Sequence, residues 1–256
     1  MSSPLRPPTE DPPATRATAA WCAVLLGLPA LLFALITWQV AVDGPLLRAD
    51  ERLSRALVHP DRVSELLSDL GNVQVAVPAL MVVAVYVVRR ARAADAERWW
   101  VPSIAAQVLL AVVPLIVVPL KEWTERSGTP AVPPATGYFP SGHTATAAVA
   151  YGSAVLILLP WLLTAFARRL AVATGVLLVL AVSFGLVRRG YHWPLDVVAS
   201  WCLCTVLLGA LWLFLRKVRG RPRQSGAPEP STRTSRTSDP SASPPYGGAR
   251  KPQDTP

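Results

Sequence analysis

The chain has 256 residues, of which 52% are hydrophobic and only 16% are charged. A soluble domain usually carries about 25% charged residues, and here the deficit is concentrated in blocks, which excludes one oversized soluble core and indicates membrane spans. The net charge of +9 comes from arginines that flank the apolar blocks and fill the C-terminal tail, so we expect membrane lipids as partners and no nucleic acid.

Both ends of the chain differ in composition from the region between them. Residues 1–20 are rich in Pro, Thr and Ala, and this stretch is too polar and too long before the first apolar run for an ordinary signal peptide. We therefore expect a disordered cytoplasmic leader over residues 1–20. Residues 216–256 are basic and then rich in Pro, Ser, Thr and Gly, which predicts a disordered tail because such a composition cannot bury a core.

Six apolar blocks occupy residues 21–215, and each is near the roughly 20 residues that cross a bilayer as a helix. The blocks lie at about 21–42, 72–88, 101–120, 143–165, 170–187 and 195–215. The predicted fold is therefore an all-α integral membrane protein with six transmembrane helices. Arg168 and Arg169 separate the fourth and fifth spans, which predicts a tight hairpin at that point.

The segment between the first two spans, residues 43–71, mixes charges with apolar residues at helical spacing. The apolar positions are Leu46, Leu47, Leu53, Leu57, Val63, Leu66, Leu67 and Leu70. This pattern predicts one or two short amphipathic helices in the membrane interface. His59 precedes Pro60 between them, so we interpret it as a turn residue and not as a catalytic one.

The three cysteines, Cys22, Cys202 and Cys204, all lie inside apolar blocks. The chain has no even-numbered set of loop cysteines, so the sequence predicts neither disulfides nor a zinc site. We expect these thiols to be small buried side chains.

Lysine and arginine counts predict the orientation of the spans. One side collects Arg6, Arg16, Arg89, Arg90, Arg92, Arg98, Arg168, Arg169, Arg216, Lys217, Arg219, Arg221 and Arg223, and the other collects Arg48, Arg52, Arg55, Arg62, Lys121, Arg126, Arg188 and Arg189. Because cytoplasmic loops carry the excess of these residues, both termini should be cytoplasmic in a multi-pass protein of the plasma (inner) membrane. The histidine motifs described next then open on the outer face.

The fourth span opens with Pro140, Ser141, Gly142 and His143. Ser141 is a good N-cap, Gly142 leaves the backbone approachable, and the N–H groups of a helix start attract anions with the help of the helix dipole. His143 would then lie beside a bound anion. A capped helix with an interfacial histidine is the alternative for this motif taken alone.

The sixth span opens in a parallel way. Pro194 suits the first helical turn, so His192 lies just outside the helix and Asp196 within its opening turn. Asp196 is then placed to accept a hydrogen bond from one nitrogen of His192, which leaves the other nitrogen free to attack phosphorus. Alternatively, Asp196 only complements the helix dipole beside an unrelated histidine.

Two cations, Lys121 and Arg126, follow the third span. Their position favours neutralisation of phosphate oxygens, with Arg126 binding in bidentate fashion. In isolation, a snorkelling lysine and an ordinary loop arginine explain them equally well.

In order and context, these three elements resemble the type 2 phosphatidic acid phosphatase superfamily, which includes bacterial undecaprenyl-diphosphate phosphatases and shares its site with vanadium-dependent haloperoxidases. The resemblance covers about residues 45–215. The second family motif, Pro-Ser-Gly-His, is matched in full at residues 140–143. The third motif is matched at Gly190, His192, Trp193, Pro194 and Asp196.

Two arginines of the family pattern are absent from their usual positions. The first motif has Arg-Pro where this chain has Gly128 and Thr129, and the third has Ser-Arg where it has Gly185 and Leu186. Each lost clamp weakens transition-state stabilisation by about 3 kcal/mol. We expect either that Arg126 and Arg188 take over from shifted positions, or that activity is slow, altered in substrate or lost.

The resemblance implies metal-independent hydrolysis of a lipid phosphate or diphosphate, without a cofactor. His192 would form a phosphohistidine, Asp196 would orient it, and His143 would protonate the leaving group and then activate water. The phosphate oxygens would be held by Lys121, Arg126, Ser141, Gly142 and Arg188. Polyprenyl diphosphate, phosphatidic acid and phosphatidylglycerol phosphate all qualify as substrates. The alternatives are a lipid-phosphate phosphotransferase and a non-catalytic member that binds lipid phosphate.

Overall fold

The computed structural model describes residues 13–219, with side chains from residue 23 onward, and these residues all lie in one compact unit. Their helices are α1 (Pro13–Ala41), α2 (Pro45–Leu57), α3 (Arg62–Asp69), α4 (Val73–Ala93), α5 (Val101–Thr124), α6 (Gly142–Leu158), α7 (Ala165–Arg189) and α8 (Pro194–Arg219). Among the described residues, six helices are long and apolar enough to cross a membrane, namely α1 from Ala23 onward and α4 to α8. The predicted six-span, all-α fold is confirmed.

The first and last helices are longer than predicted. α1 begins at Pro13, inside the segment expected to be a disordered leader, because proline suits the first helical position and the alanines that follow favour a helix. α8 continues to Arg219, past the predicted end at residue 215. The rest of the predicted leader and tail, residues 1–12 and 220–256, lies outside the described residues, as does the side chain of Cys22.

The turn between the fourth and fifth spans comes earlier than predicted. α6 ends at Leu158, and a 3₁₀ turn that contains Pro160 follows at Leu159–Trp161. Thr164 then caps α7 by accepting a hydrogen bond from the Ala167 N–H at 3.1 Å. Proline cannot donate the next helical hydrogen bond, so the helix stops there and Arg168 falls in the first turn of α7.

The predicted amphipathic segment forms α2 and α3, and one side of each helix is buried. The buried residues are Asp50 and Ser54 in α2 and Ser64 and Ser68 in α3. Leu53 and Leu66 are 50% and 60% exposed, whereas Asp50 and Ser64 are 4% and 0% exposed. The buried sides pack against α7 and α8. The exposed surface combines leucines with Arg48, Glu51, Arg52, Arg55, Arg62, Glu65 and Asp69, a mixture that suits the membrane interface.

The central helix of the bundle is α6, which contacts α4, α5, α7 and α8. Its middle is built from small residues, and Ala147, Val149 and Ala150 are completely buried. Small side chains let neighbouring membrane helices approach closely. This packing fixes the start of α6, and with it His143, against the ends of the surrounding helices.

Candidate active site

The two histidine motifs are tied together through the helix starts that hold them. The Ser141 N–H donates to the Asp196 carbonyl at 3.2 Å. The Ser200 hydroxyl lies 2.9 Å from the carbonyl oxygens of both Ser141 and Asp196. Ser141 is the N-cap of α6, as predicted, and its hydroxyl accepts a hydrogen bond from the Thr144 N–H at 3.3 Å. Both motifs therefore lie at the same end of the bundle.

The rings of His143 and His192 face each other at this end, with centroids 6.4 Å apart and an angle of 61° between their planes. His192 is only 5% exposed, whereas His143 is an exposed residue. Two imidazoles at this separation can act on opposite sides of one bound group. The sequence alone could place both at helix starts but could not set the distance between them.

Asp196 holds the His192 ring from behind. Its Oδ2 lies 3.2 Å from Nδ1 of His192 and accepts the Trp193 N–H at 3.1 Å. The Asp196 side chain is fully buried. Because Nδ1 is engaged, Nε2 of His192 is the nitrogen left for a substrate.

Arg126, predicted to bind phosphate, instead lies in a buried ion-pair cluster behind Asp196. Its Nη1 lies 2.5 Å from Oδ1 of Asp196, and its Nη2 lies 2.6 Å from Oδ2 of Asp50. Arg126 is 7% exposed and does not line the cavity that holds the histidines. Bidentate donation by the guanidinium had suggested a phosphate ligand, but Nη1 and Nη2 each donate to a carboxylate instead.

Arg188, the other predicted shifted clamp, is also engaged elsewhere. Its Nε donates to Oδ2 of Asp61 at 2.9 Å, and Asp61 is the N-cap of α3. The Ser64 N–H and then Arg188 hold the pKa of the Asp61 carboxyl down to about 2. Arg188 therefore fastens α3 to the end of α7 and does not reach the cavity.

Of the predicted phosphate-binding cations, Lys121 is the one that lines the cavity. The Lys121 ammonium donates to the Gly137 carbonyl at 2.9 Å. A Cβ built on Gly142 would lie 3.9 Å from Cε of Lys121, so this lysine lies beside the start of α6. His143 and His192 line the same cavity.

The two positions that lack the family arginines are occupied by closely packed residues. A Cβ on Gly128 would lie 2.7 Å from Cε2 of Tyr138, and Leu186 is buried in the core at 1% exposure. At the neighbouring Gly185, a Cβ would come within 2.6 Å of the Ser68 backbone nitrogen, so glycine there lets α3 lie directly on α7.

Sequence reasoning missed Tyr138 and Asp50. The Tyr138 ring meets His192 edge-on at a centroid distance of 5.9 Å and lines the cavity. For Asp50, the available signal was a carboxylate with Ser54 one turn later, in a segment predicted only to form amphipathic helices in the membrane interface. His59, predicted to be a turn residue, is exposed between α2 and α3.

The cavity beside these residues has a volume of about 710 Å³. Its polar end is lined by Lys121, Tyr138, His143 and His192, and its walls run along the membrane-spanning helices α4 and α5. The apolar lining includes Val73, Val77, Leu110, Val113, Val117 and Val118. A second cavity, of about 680 Å³ between α1, α6, α7 and α8, is almost wholly apolar and contains none of the candidate site residues.

Comparison with known proteins agrees with this architecture. Residues 118–219 match the model of the PAP2 superfamily. The crystal structure of a transmembrane PAP2-type phosphatidylglycerolphosphate phosphatase from Bacillus subtilis is similar, with a TM-score of 0.63 and 23% sequence identity over 75% of this chain and 98% of that one. At this identity the likeness concerns the fold. No curated protein sequence matches the chain significantly.

Proposed function

We propose that this chain is a member of the PAP2 superfamily, whose model matches residues 118–219, and that it hydrolyses the phosphate of a membrane lipid through a phosphohistidine intermediate. The observation that supports this most directly is the facing pair of His143 and His192, with Asp196 behind His192, at the polar end of an apolar cavity. A lipid phosphate needs both parts, because its headgroup is an anion and its tail is apolar.

In the first step Nε2 of His192 attacks phosphorus. The N–P bond forms as the P–O bond to the lipid breaks, and His143 donates a proton to the departing oxygen. The carboxylate of Asp196, 3.2 Å from Nδ1, stabilises the positive charge that develops on the His192 ring. The lipid leaves as an alcohol, or as a monophosphate if the substrate is a diphosphate.

In the second step His143, now neutral, takes a proton from water as the water oxygen attacks phosphorus. The N–P bond breaks, inorganic phosphate leaves, and His192 returns to its starting state with Nδ1 still bonded to Asp196. His143 and His192 therefore need to reach opposite sides of one phosphoryl group, which the 6.4 Å separation of their rings supports.

The negative charge on phosphate would be met by Lys121 and by the first N–H groups of α6. The Thr144 N–H is bonded to Ser141, while the N–H groups of Gly142 and His143 have no helical acceptor because they open the helix. We assign Ser141 to shaping this turn, since its hydroxyl is the N-cap. Arg126 and Arg188 act through carboxylates and not on phosphate.

The substrate class follows from the shape of the cavity. Its apolar walls belong to α4 and α5, both membrane-spanning, so a lipid tail can stay in the bilayer while its phosphate reaches Lys121. Polyprenyl diphosphate, phosphatidic acid and phosphatidylglycerol phosphate all meet this requirement. The Bacillus subtilis protein is a phosphatidylglycerolphosphate phosphatase.

To test this function, the purified protein is incubated with each of these three lipids and with glycerol 3-phosphate, which lacks a tail, in the presence of EDTA. We expect phosphate release from at least one lipid and far slower release from glycerol 3-phosphate, because the tail supplies binding energy. Mass analysis of the products distinguishes hydrolysis from transfer of the phosphoryl group to another acceptor. No release from any lipid would contradict the proposal.

A second candidate, a non-catalytic protein that binds lipid phosphate, is favoured by one observation. Gly128 and Leu186 replace two family arginines, and Arg126 and Arg188 are committed to carboxylates. Lys121 is then the main cation left for the anion. Lipid binding without release of phosphate would identify this second function.

We also propose that the site end of the bundle faces the outer side of the plasma membrane and that both termini are cytoplasmic. The loops at the opposite end and the C-terminal end of α8 carry more Lys and Arg residues than the site end does, and cytoplasmic segments carry the excess of these residues. A green fluorescent protein fused to the C-terminus should fluoresce. An alkaline phosphatase fusion there should be inactive, and an active one would reverse the topology.

A further inference from the structure

Asp50 is a buried carboxylate on α2, a helix whose other charged residues, Arg48, Glu51, Arg52 and Arg55, are exposed. It is 4% exposed, and Ser54 one turn later is 3% exposed, while Leu53 beside them is 50% exposed. Burying a carboxylate is costly unless it is paired and hydrogen-bonded. Asp50 also lies outside residues 118–219, the part that matches the family model.

Both oxygens of Asp50 are engaged by parts of the site. Oδ2 accepts a hydrogen bond from Arg126 Nη2 at 2.6 Å, and Oδ1 accepts the Leu195 N–H at 2.9 Å. The Leu195 N–H belongs to the first turn of α8, where N–H groups have no helical acceptor. Asp50 thus caps α8 from another helix, one residue before Asp196.

The contacts continue from Asp50 to the nucleophile. Arg126 bridges Asp50 and Asp196, and the other oxygen of Asp196 lies 3.2 Å from Nδ1 of His192. Two carboxylates and one guanidinium leave one negative charge in the cluster. Burial raises the pKa of the Asp50 carboxyl above its ordinary value even though Arg126 and the Leu195 N–H act in the opposite direction, so the charge on Asp50 depends on these two contacts.

We propose that Asp50 is a positioning residue of the phosphatase, which balances the charge of Arg126 and caps α8 so that Asp196 stays directed at Nδ1 of His192. The proposal rests on the proposed function for its catalytic consequence. The contacts themselves give it a consequence for the His192 ring that can be measured without catalysis.

The first variant is Asp50→Asn, which keeps the shape and an acceptor for the Leu195 N–H but removes the charge. Arg126 is then unbalanced and withdraws more of the Asp196 charge from His192. We expect kcat to fall by about a hundredfold with KM nearly unchanged, and the acid limb of the pH profile of kcat/KM to move to lower pH by about one unit. Glu51→Gln, the same kind of change at the exposed neighbour, should alter neither.

The second variant is Arg126→Gln, for which the expected shift of the acid limb has the opposite sign. Without the guanidinium, the charges of Asp196 and Asp50 act in full on His192 and favour its protonated form. The double variant Asp50→Asn with Arg126→Gln removes both charges and should bring the limb back toward that of the unaltered protein. The other titratable groups around the histidine pair, Lys121, Tyr138, His143 and Asp69, are unchanged throughout.

Nuclear magnetic resonance of the ¹⁵N-labelled histidines gives the independent readout. The chain has three histidines, so the His192 signals can be assigned with His59→Gln and His143→Gln variants. We expect the midpoint of the His192 titration to fall in Asp50→Asn and to rise in Arg126→Gln. This result would stand even if the unaltered protein released no phosphate, in which case only the proposed function would fail.

Two results would overturn the inference. In one, Asp50→Asn has the same kcat, the same pH profile and the same midpoint of the His192 titration as Glu51→Gln. In the other, Asp50→Asn and Arg126→Gln shift the His192 midpoint in the same direction, which would indicate a general loss of packing. If Asp50→Asn alone does not fold, the comparison of the double variant with Arg126→Gln decides, since the double variant should have the lower midpoint.

Discussion

Replacing His192 by alanine is expected to lower the rate of phosphate release by at least about ten-thousand-fold. Nε2 of His192 is the nucleophile that attacks the lipid phosphate in the proposed mechanism, and its partner Asp196 is fully buried and has no other imidazole to orient. Phosphate release from the preferred lipid is the measurement. His59→Ala is the matched control, because His59 is an exposed turn residue and its loss should leave the rate unchanged.

His143→Ala should also abolish turnover, but at a different step. Without His143 no group activates the water that attacks the phosphohistidine, so a substrate with a good leaving group should trap the phosphoryl group on His192. Labelled phosphate should then stay bound to His143→Ala in an acid-labile form and be absent from His192→Ala. Equal phosphate release by the two variants and the unaltered protein would remove both histidines from the mechanism.

The spans and the helix starts were predictable because their signals are local. Apolar runs of bilayer length, an N-cap at Ser141 and a proline at the start of α8 each depend on neighbouring residues in the chain. The break after α6 was misplaced because the charges of Arg168 and Arg169 were given more weight than Pro160. The charge of an arginine is compatible with the first turn of a helix, whereas a proline removes a helical hydrogen bond.

The partners of the cations were not predictable, because they are set by tertiary contacts. Asp50 lies 76 residues before Arg126 in the chain, and Asp61 lies 127 residues before Arg188. A sequence pattern shows that an arginine follows a span but not whether a phosphate or a carboxylate accepts its hydrogen bonds. For α2, the amphipathic pattern indicated a helix at the membrane interface, but it could not show that Asp50 and Ser54 would be buried while the other charged residues of the helix stay exposed.

Arginine introduced at Leu186, where the family pattern has it, is expected to prevent folding rather than to improve activity. Leu186 is 1% exposed and packs in the core with Val182, and its carbonyl already accepts the N–H groups of Tyr191 and His192. A buried guanidinium without a carboxylate partner costs several kcal/mol, a large share of the total stability of a domain. Thermal unfolding and the monodisperse fraction in detergent are the measurements, with Leu186→Met, which conserves volume, as the control.

Gly128→Arg, at the other position where the family pattern has an arginine, is expected to destabilise the surrounding loop for a steric reason. A Cβ there would lie 2.7 Å from both the Tyr138 ring and Cγ2 of Val132, and the Gly128 N–H is bonded to the Ala135 carbonyl at 3.1 Å. The loop that holds Arg126 and Tyr138 would have to open, so phosphate release should fall with the displacement of Asp196 and His192. A folded Gly128→Arg or Leu186→Arg protein that releases phosphate faster than the unaltered chain would show that a vacant clamp site persists. That outcome would favour the second candidate function, a non-catalytic protein that binds lipid phosphate. The unaltered chain would then have a phosphatase site that lacks the arginines it needs for catalysis.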